Sequence, residues 1–286
     1  MPAPAQPPPL AGEMTAVNLF TVDLEEWFHV CGVGGPLAPE HWDTLPSRVE
    51  LTTRLLLETL DRAQVPATFF AVGWVAERHP RLIEDISAAG HDIGSHSQSH
   101  TRAYELTPEA FRAELVVSRQ ALRDAGVASV TAFRAPEWSI NRRSLWALDV
   151  LAQEGFSTDA SMAPVKIVGD PAFPRSAHHR STPHGLVLEV PPFVVDRFHQ
   201  VMPMGWGWAL RMSSPGRVLR EIERANGKGV GAVLTVHPWE LDPEPPRVRL
   251  RPSLHFAHYF RLSGFHDRLR AILDGARFGR LREIAV

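Results

Sequence analysis

Cysteine is almost absent from this 286-residue sequence, with Cys31 standing alone. That excludes an internal disulfide framework and any cysteine-based zinc cluster. A metal held by this chain must use histidine and carboxylate ligands. An excess of charge is missing too: 30 Lys and Arg face 32 Asp and Glu, a formal net charge of −2. The near-balance argues against a nucleic-acid partner. No apolar run approaches the ~18 residues of a membrane span. The N-terminus lacks the basic start and apolar stretch of a secretory leader, so a cytoplasmic protein is expected. Residues 1–13 read as a Pro-rich disordered tail and residues 14–286 as a single domain without repeats. What the chain does have is 44% apolar residues, 14 His and 8 Trp, enough for a sizeable core and suited to a wet, aromatic-lined site.

Short buried-strand patterns alternate with helical spacing along the chain. Strands are predicted at Val17–Asp23, Ala67–Val72, His91–Ser95, Val130–Phe133, Phe156–Thr158, Leu186–Val190 and Val230–Val236, with a last one at Leu281–Ala285. Helices are predicted at Arg48–Gln64, Arg81–Ala89, Thr107–Ala125, Arg142–Gln153, Pro215–Ala225 and Tyr259–Leu273. This order implies parallel β/α units. At this length an α/β fold is expected, a (β/α) barrel of seven or eight strands, with an open doubly wound sheet as the alternative. Residues 159–185 form a Pro- and His-rich insertion without periodicity, expected to be a loop that rims the site.

A barrel places its chemistry at the carboxyl ends of its strands. The residues that close the strand patterns are Asp23 and Glu25, His96 and His100, Arg134, Asp159, and His237. His96 and His100 are four apart, which on a helical turn puts both imidazoles on one face, as two ligands to one metal require. Asp23 and Glu25 share a strand face while Glu26 points with Leu24 to the other. The pair can therefore divide the roles of ligand and general base. Two histidines and one carboxylate leave an open position for water, as in a catalytic zinc site. Arg134 can pair with Asp23, and Asp159 can neutralise Arg134 or His237. The Glu137 backbone N–H can face an oxyanion, and Trp138 can supply a ring-sized apolar wall. His237 ends the last strong strand and is the candidate general acid.

Four segments carry a resemblance: Thr-Val-Asp-Leu-Glu-Glu-Trp-Phe-His at 21–29, His-Ser-Gln-Ser-His at 96–100, Phe-Arg-Ala-Pro-Glu-Trp-Ser at 133–139, and Leu-Thr-Val-His-Pro-Trp-Glu at 234–240. The set resembles the polysaccharide deacetylases, carbohydrate esterase family 4, and within them the branch found with bacterial exopolysaccharide and exosortase gene clusters. The resemblance implies a distorted (β/α) barrel and one divalent metal ion, usually zinc, with cobalt or another divalent ion as alternatives. It also implies water attack on an N-acetyl carbonyl of a saccharide substrate, releasing acetate. Carried over by motif, Asp23 becomes the base, His96 and His100 the ligands, Arg134 and Asp159 the supports, and His237 the acid. Glu137, Trp138 and Trp239 become substrate-contacting. The family's usual second aspartate is replaced by Leu24, which passes the ligand role to Glu25 and leaves Asp23 and Glu25 interchangeable in principle. A second departure is Gly205-Trp206-Gly207-Trp208, where a more glycine-rich stretch is expected. Two other functions remain open: hydrolysis of a small cyclic amide or ureide, and a non-catalytic carbohydrate-binding barrel. An open groove favours a polymer, a sealed pocket a small molecule.

Overall fold

The computed structural model describes residues 16–284. The predicted tail at 1–13 lies outside them. Among the described residues ten strands form: β1 Leu19–Leu24, β2 Thr68–Ala71, β3 Asp92–Ser95, β4 Ala132–Phe133, β5 Thr158–Asp159, β6 His178–Thr182, β7 Gly185–Glu189, β8 Val194–Arg197, β9 Gln200–Pro203 and β10 Val233–Val236. The same described residues form nine α-helices: α1 Val49–Ala63, α2 Gly73–Arg78, α3 Pro80–Ala88, α4 Pro108–Asp124, α5 Trp146–Gln153, α6 Gly207–Met212, α7 Pro215–Asn226, α8 Pro252–Tyr259 and α9 Phe265–Gly275.

Eight strands make one sheet in the order β10-β1-β2-β3-β4-β5-β7-β6. All neighbours are parallel except the β6–β7 hairpin. Every residue of β1, β2 and β10 is buried, as expected of parallel strands covered on both faces. The free edge of β10 is met by irregular backbone: Phe193 N donates to Val233 O, and Thr235 N to Gly205 O. The sheet thus curls into the expected barrel-like form, with its seam closed by residues 193 and 205–206 instead of a strand ladder. No helix among the described residues is long and apolar enough to cross a membrane.

Three expectations are corrected. The segment 159–185 is not a plain loop, because it contains β6, which pairs with β7 over five residues. The predicted last strand is a 3-10 turn, Leu281–Glu283. The Glu283 carboxylate accepts from the Arg280 backbone N–H and closes the chain into that turn after a single bridge between Leu19 and Gly279; Ala285 lies outside the described residues. The predicted helix at Tyr259–Leu273 is broken between α8 and α9. Arg261 and Gly264 there have φ of 56° and 70°, a left-handed backbone that ends one helix and starts another.

Candidate active site

The carboxyl ends of β1, β3, β4 and β10 deliver their polar residues to one cleft of about 160 Å³. Asp23, Glu25, His96, His100 and His237 line it, together with Glu137, Trp138 and Trp239. Glu26 turns away as its strand position predicts. Its carboxylate accepts from the Arg48 N–H at 3.0 Å and caps the positive end of α1.

His96 and His100 do not lie on a helical turn. They bracket a loop in which Ser97 and His100 have φ of 63° and 53°, each costing about 1–3 kcal/mol in a non-glycine residue. Glu114 of α4 offsets that strain by accepting from the backbone N–H groups of Gln98 and Ser99, both at 2.8 Å. The loop nevertheless brings both imidazoles to Glu25, and the donor atoms of Glu25, His96 and His100 lie within 4.8 Å of one another.

These three residues fit a metal ion. His96 Nδ1 donates to the Arg134 carbonyl at 2.8 Å, which leaves Nε2 as a bare lone pair. His100 Nε2 stands 2.5 Å from Glu25 Oε2, yet this buried oxygen has no hydrogen bond of good geometry. Three donor atoms that converge within 4.8 Å in a buried pocket are arranged as ligands are. Burial depresses His96 to about 4, so it is neutral near pH 7. Burial also opposes charge on His100, but Glu25 outweighs it and raises the His100 pKa well above its ordinary value. A cation held there would displace that proton. Burial alone would raise Glu25; His100, His237 and His96 reverse this and hold its carboxyl far below the usual range.

Asp23 stands on the other side of Glu25. Arg134 Nη1 donates to Asp23 Oδ1 at 2.8 Å and to Thr21 Oγ1 at 2.9 Å, and its Nε donates to the Ala160 carbonyl at 3.2 Å. Arg134 is 1% exposed, so this is a buried pair whose geometry is fixed at several points. Asp23 Oδ2 is left facing His237 Nε2 at 4.0 Å.

His237 is held from behind by a partner that sequence reading missed. Its Nδ1 lies 3.1 Å from Glu240 Oε2, and Glu240 Oε1 is 2.9 Å from Arg211 Nε. Both Glu240 and Arg211 are buried. Arg211 also donates to the carbonyls of Ala257, His258 and Phe260, tying α6 to the end of α8. The i, i+3 spacing of His237 and Glu240 across Pro238 was the available signal, a capping-box arrangement. Burial would lower the His237 pKa, but Glu25, Glu240 and Asp23 together raise it to about 9. Gly207 permits the approach of α6, because a Cβ there would lie 1.8 Å from Glu240 Oε2.

Asp159 lies beneath the cleft, fully buried and not lining it. It accepts from the Ser161 hydroxyl and shares its surroundings with Glu189 of β7, also fully buried. Burial first, and the Asp159 charge second, raise the Glu189 pKa well above normal, so Glu189 carries a proton between them. Glu137 and Trp138 have φ of 51° and 50°, and the Glu137 carboxylate accepts from Arg102 Nε at 2.7 Å. Trp138 stacks on Trp206 at 4.5 Å and 8°. Trp239 stacks on His237 and on His258 and donates to Glu25 Oε1 at 3.2 Å. The walls of the cleft come from Trp206, Trp208, Leu254 and His258, not from the 159–185 segment.

Residues 41–156 match the family model described as polysaccharide deacetylase. Residues 160–286 match a domain of unknown function, DUF3473, which is consistent with the exopolysaccharide-locus branch. A chitooligosaccharide deacetylase of Sinorhizobium fredii is 31% identical over 49% of this chain and 60% of its own length, so the chain spans less than two thirds of that relative. The structure of a putative polysaccharide deacetylase from Mycobacterium smegmatis matches over 83% of this chain and 82% of its own length at 22% identity, TM-score 0.58. The structure of Puue allantoinase covers 98% and 92% at 17% identity, TM-score 0.60; at such identities both show the fold alone. The motifs, the barrel and the matched segment agree, and residues 41–156 of the chain belong to the polysaccharide deacetylase family.

Proposed function

We propose that this protein is a metal-dependent deacetylase of N-acetylated amino-sugar units in a polysaccharide or oligosaccharide. Glu25, His96 and His100 would hold one divalent ion, with zinc the best match to two imidazole nitrogens and a carboxylate oxygen. When bound, such an ion polarises an amide carbonyl and makes water more acidic. The chain's own groups supply the proton transfers. Arg134 occupies Asp23 Oδ1, which leaves Oδ2 to accept a proton from the attacking water. Glu240 occupies His237 Nδ1, which leaves Nε2 to give a proton to the departing amine. A C–O bond forms, the C–N bond breaks, and acetate and a free amine leave. Trp138 and Trp206 offer a stacked aromatic surface for a sugar ring. The exopolysaccharide branch that the motifs resemble makes an exopolysaccharide or its oligosaccharide precursor the candidate substrate.

One observation supports this reading above the others. Asp23 and His237 flank Glu25 from adjacent strands, and each has its far atom fixed by a buried partner while its near atom is left toward the cleft. Binding alone needs no such base and acid. The test compares leaving groups. His237→Ala should lose about 10²-fold more rate on an N-acetyl sugar than on an activated aryl acetate, which needs little protonation. Asp23→Asn should lose rate on both. Equal losses for His237→Ala would reject the acid role, and turnover of a cyclic ureide with none on saccharides would replace the substrate class.

A further inference from the structure

The helix that walls the cleft also carries an exposed apolar surface. On α8, Leu254, Ala257 and His258 face the cleft. Phe256 and Phe260, one turn apart, are 49% and 40% exposed. Their rings stack on each other at 4.4 Å and 23°, forming a hydrocarbon knob with no polar atom. Exposed aromatics paired like this gain nothing for the fold by facing water.

The charge along this segment is equally one-sided. Residues 247–261 contain Arg247, Arg249, Arg251 and Arg261, all exposed, and no Asp or Glu, in a chain of net charge −2. Arg251 is the N-cap of α8, and no acidic residue occupies the first turn. A cation there opposes the helix dipole, so helix stability does not explain it. Arg247 lies over the Tyr259 ring at 4.9 Å, which keeps its guanidinium beside the helix.

We propose that this lip of the cleft docks on an anionic lipid surface, with Phe256 and Phe260 entering the acyl boundary and the four arginines meeting the head groups. Exposed phenyl rings bordered by arginines suit a surface with an apolar acyl boundary and anionic head groups. A hydroxyl-rich acidic polysaccharide fits less well, because the phenyl pair offers it no hydrogen-bond partner. Docking here holds the cleft mouth against the bilayer, and, resting on the deacetylase reading, favours saccharides anchored in or lying on it.

The experiment is co-sedimentation with phosphatidylcholine vesicles, with and without phosphatidylglycerol. The wild-type chain should sediment with phosphatidylglycerol vesicles only, and less so as salt rises. Phe256→Ser/Phe260→Ser should abolish the binding. Arg247→Gln/Arg249→Gln/Arg251→Gln should weaken it about 10²-fold, at roughly fivefold per arginine. Both variants should keep wild-type acetate release from soluble chitooligosaccharides, showing intact folding. Wild-type levels of vesicle binding in both variants would overturn the proposal. So would binding to a soluble acidic polysaccharide without vesicle binding, or loss of a dimer as the variants' only effect. Vesicle binding that persists without any deacetylation would instead count against the enzyme reading alone.

Discussion

Arg211 offers the sharpest perturbation, because one side chain connects α6, α8 and the His237 support. Replacing it with Met leaves Glu240, 1% exposed, without the cation that stands 2.9 Å away. Breaking a buried ion pair from one side costs about 3–5 kcal/mol. Three carbonyls at the end of α8 lose their donor as well. Against a total stability of about 5–15 kcal/mol, that is a large fraction. Equilibrium urea unfolding at several pH values measures it. The sign follows from Glu240: burial would raise its pKa, but Arg211 and then His237 reverse that and hold it low. The pair's contribution is therefore fully present above the ordinary carboxylate value of 4.5 and disappears as pH falls through the depressed folded value. The Arg211→Met deficit should be full near neutral pH and shrink in strong acid. Arg211→Met/Glu240→Leu should recover most of the stability but not the activity, since His237 still lacks its support. A loss under about 1 kcal/mol at neutral pH, or a double variant no better than the single one, would refute the reasoning.

Two further outcomes follow from the packing around the site. Gly207→Ala should cost about 1–3 kcal/mol and lower kcat, because the new Cβ collides with Glu240; an unchanged melting temperature would contradict this. Glu189→Gln mimics the protonated acid. A carboxyl with a raised folded pKa loses its stabilising contribution as pH rises above its unfolded value, so the variant should match the parent near pH 5 and be more stable near pH 9. Thermal melts at the two pH values check it, and a variant that is less stable at pH 9 would exclude a shared proton.

Much of the barrel is legible in the sequence because parallel strands buried on both faces must be short apolar runs, and several of the runs here end in a group with chemistry. Val233–Val236 followed by His237, and Leu19–Leu24 followed by Glu25, show both features at once. The strand β6 escapes because His178–Thr182 is a polar edge strand with no residue fully buried, so no hydrophobic period marks it. The hairpin β8–β9 and the helix α6 are only four to six residues long and fall below what periodicity resolves. Within the site, Asp23, Glu25, His96, His100 and His237 stand out because they close strands. Arg211 and His258 come from helices that wall the cleft, and nothing in their local sequence distinguishes them from other helical residues. Glu189 does end a strand, yet it points under the cleft, and only its pairing with Asp159 shows what it does.

The central claim is a cation held by Glu25, His96 and His100 serving amide hydrolysis at the Asp23–His237 cleft. Acetate release from N-acetylglucosamine oligomers, measured with the free amine before chelation, after it and after zinc is restored, tests it most directly. The account predicts acetate and amine in equal amounts, abolished by the chelator without loss of helical circular dichroism and restored by zinc. Acetate release that survives complete metal removal, or no acetate from any N-acetylated saccharide with one zinc bound per chain, would contradict it.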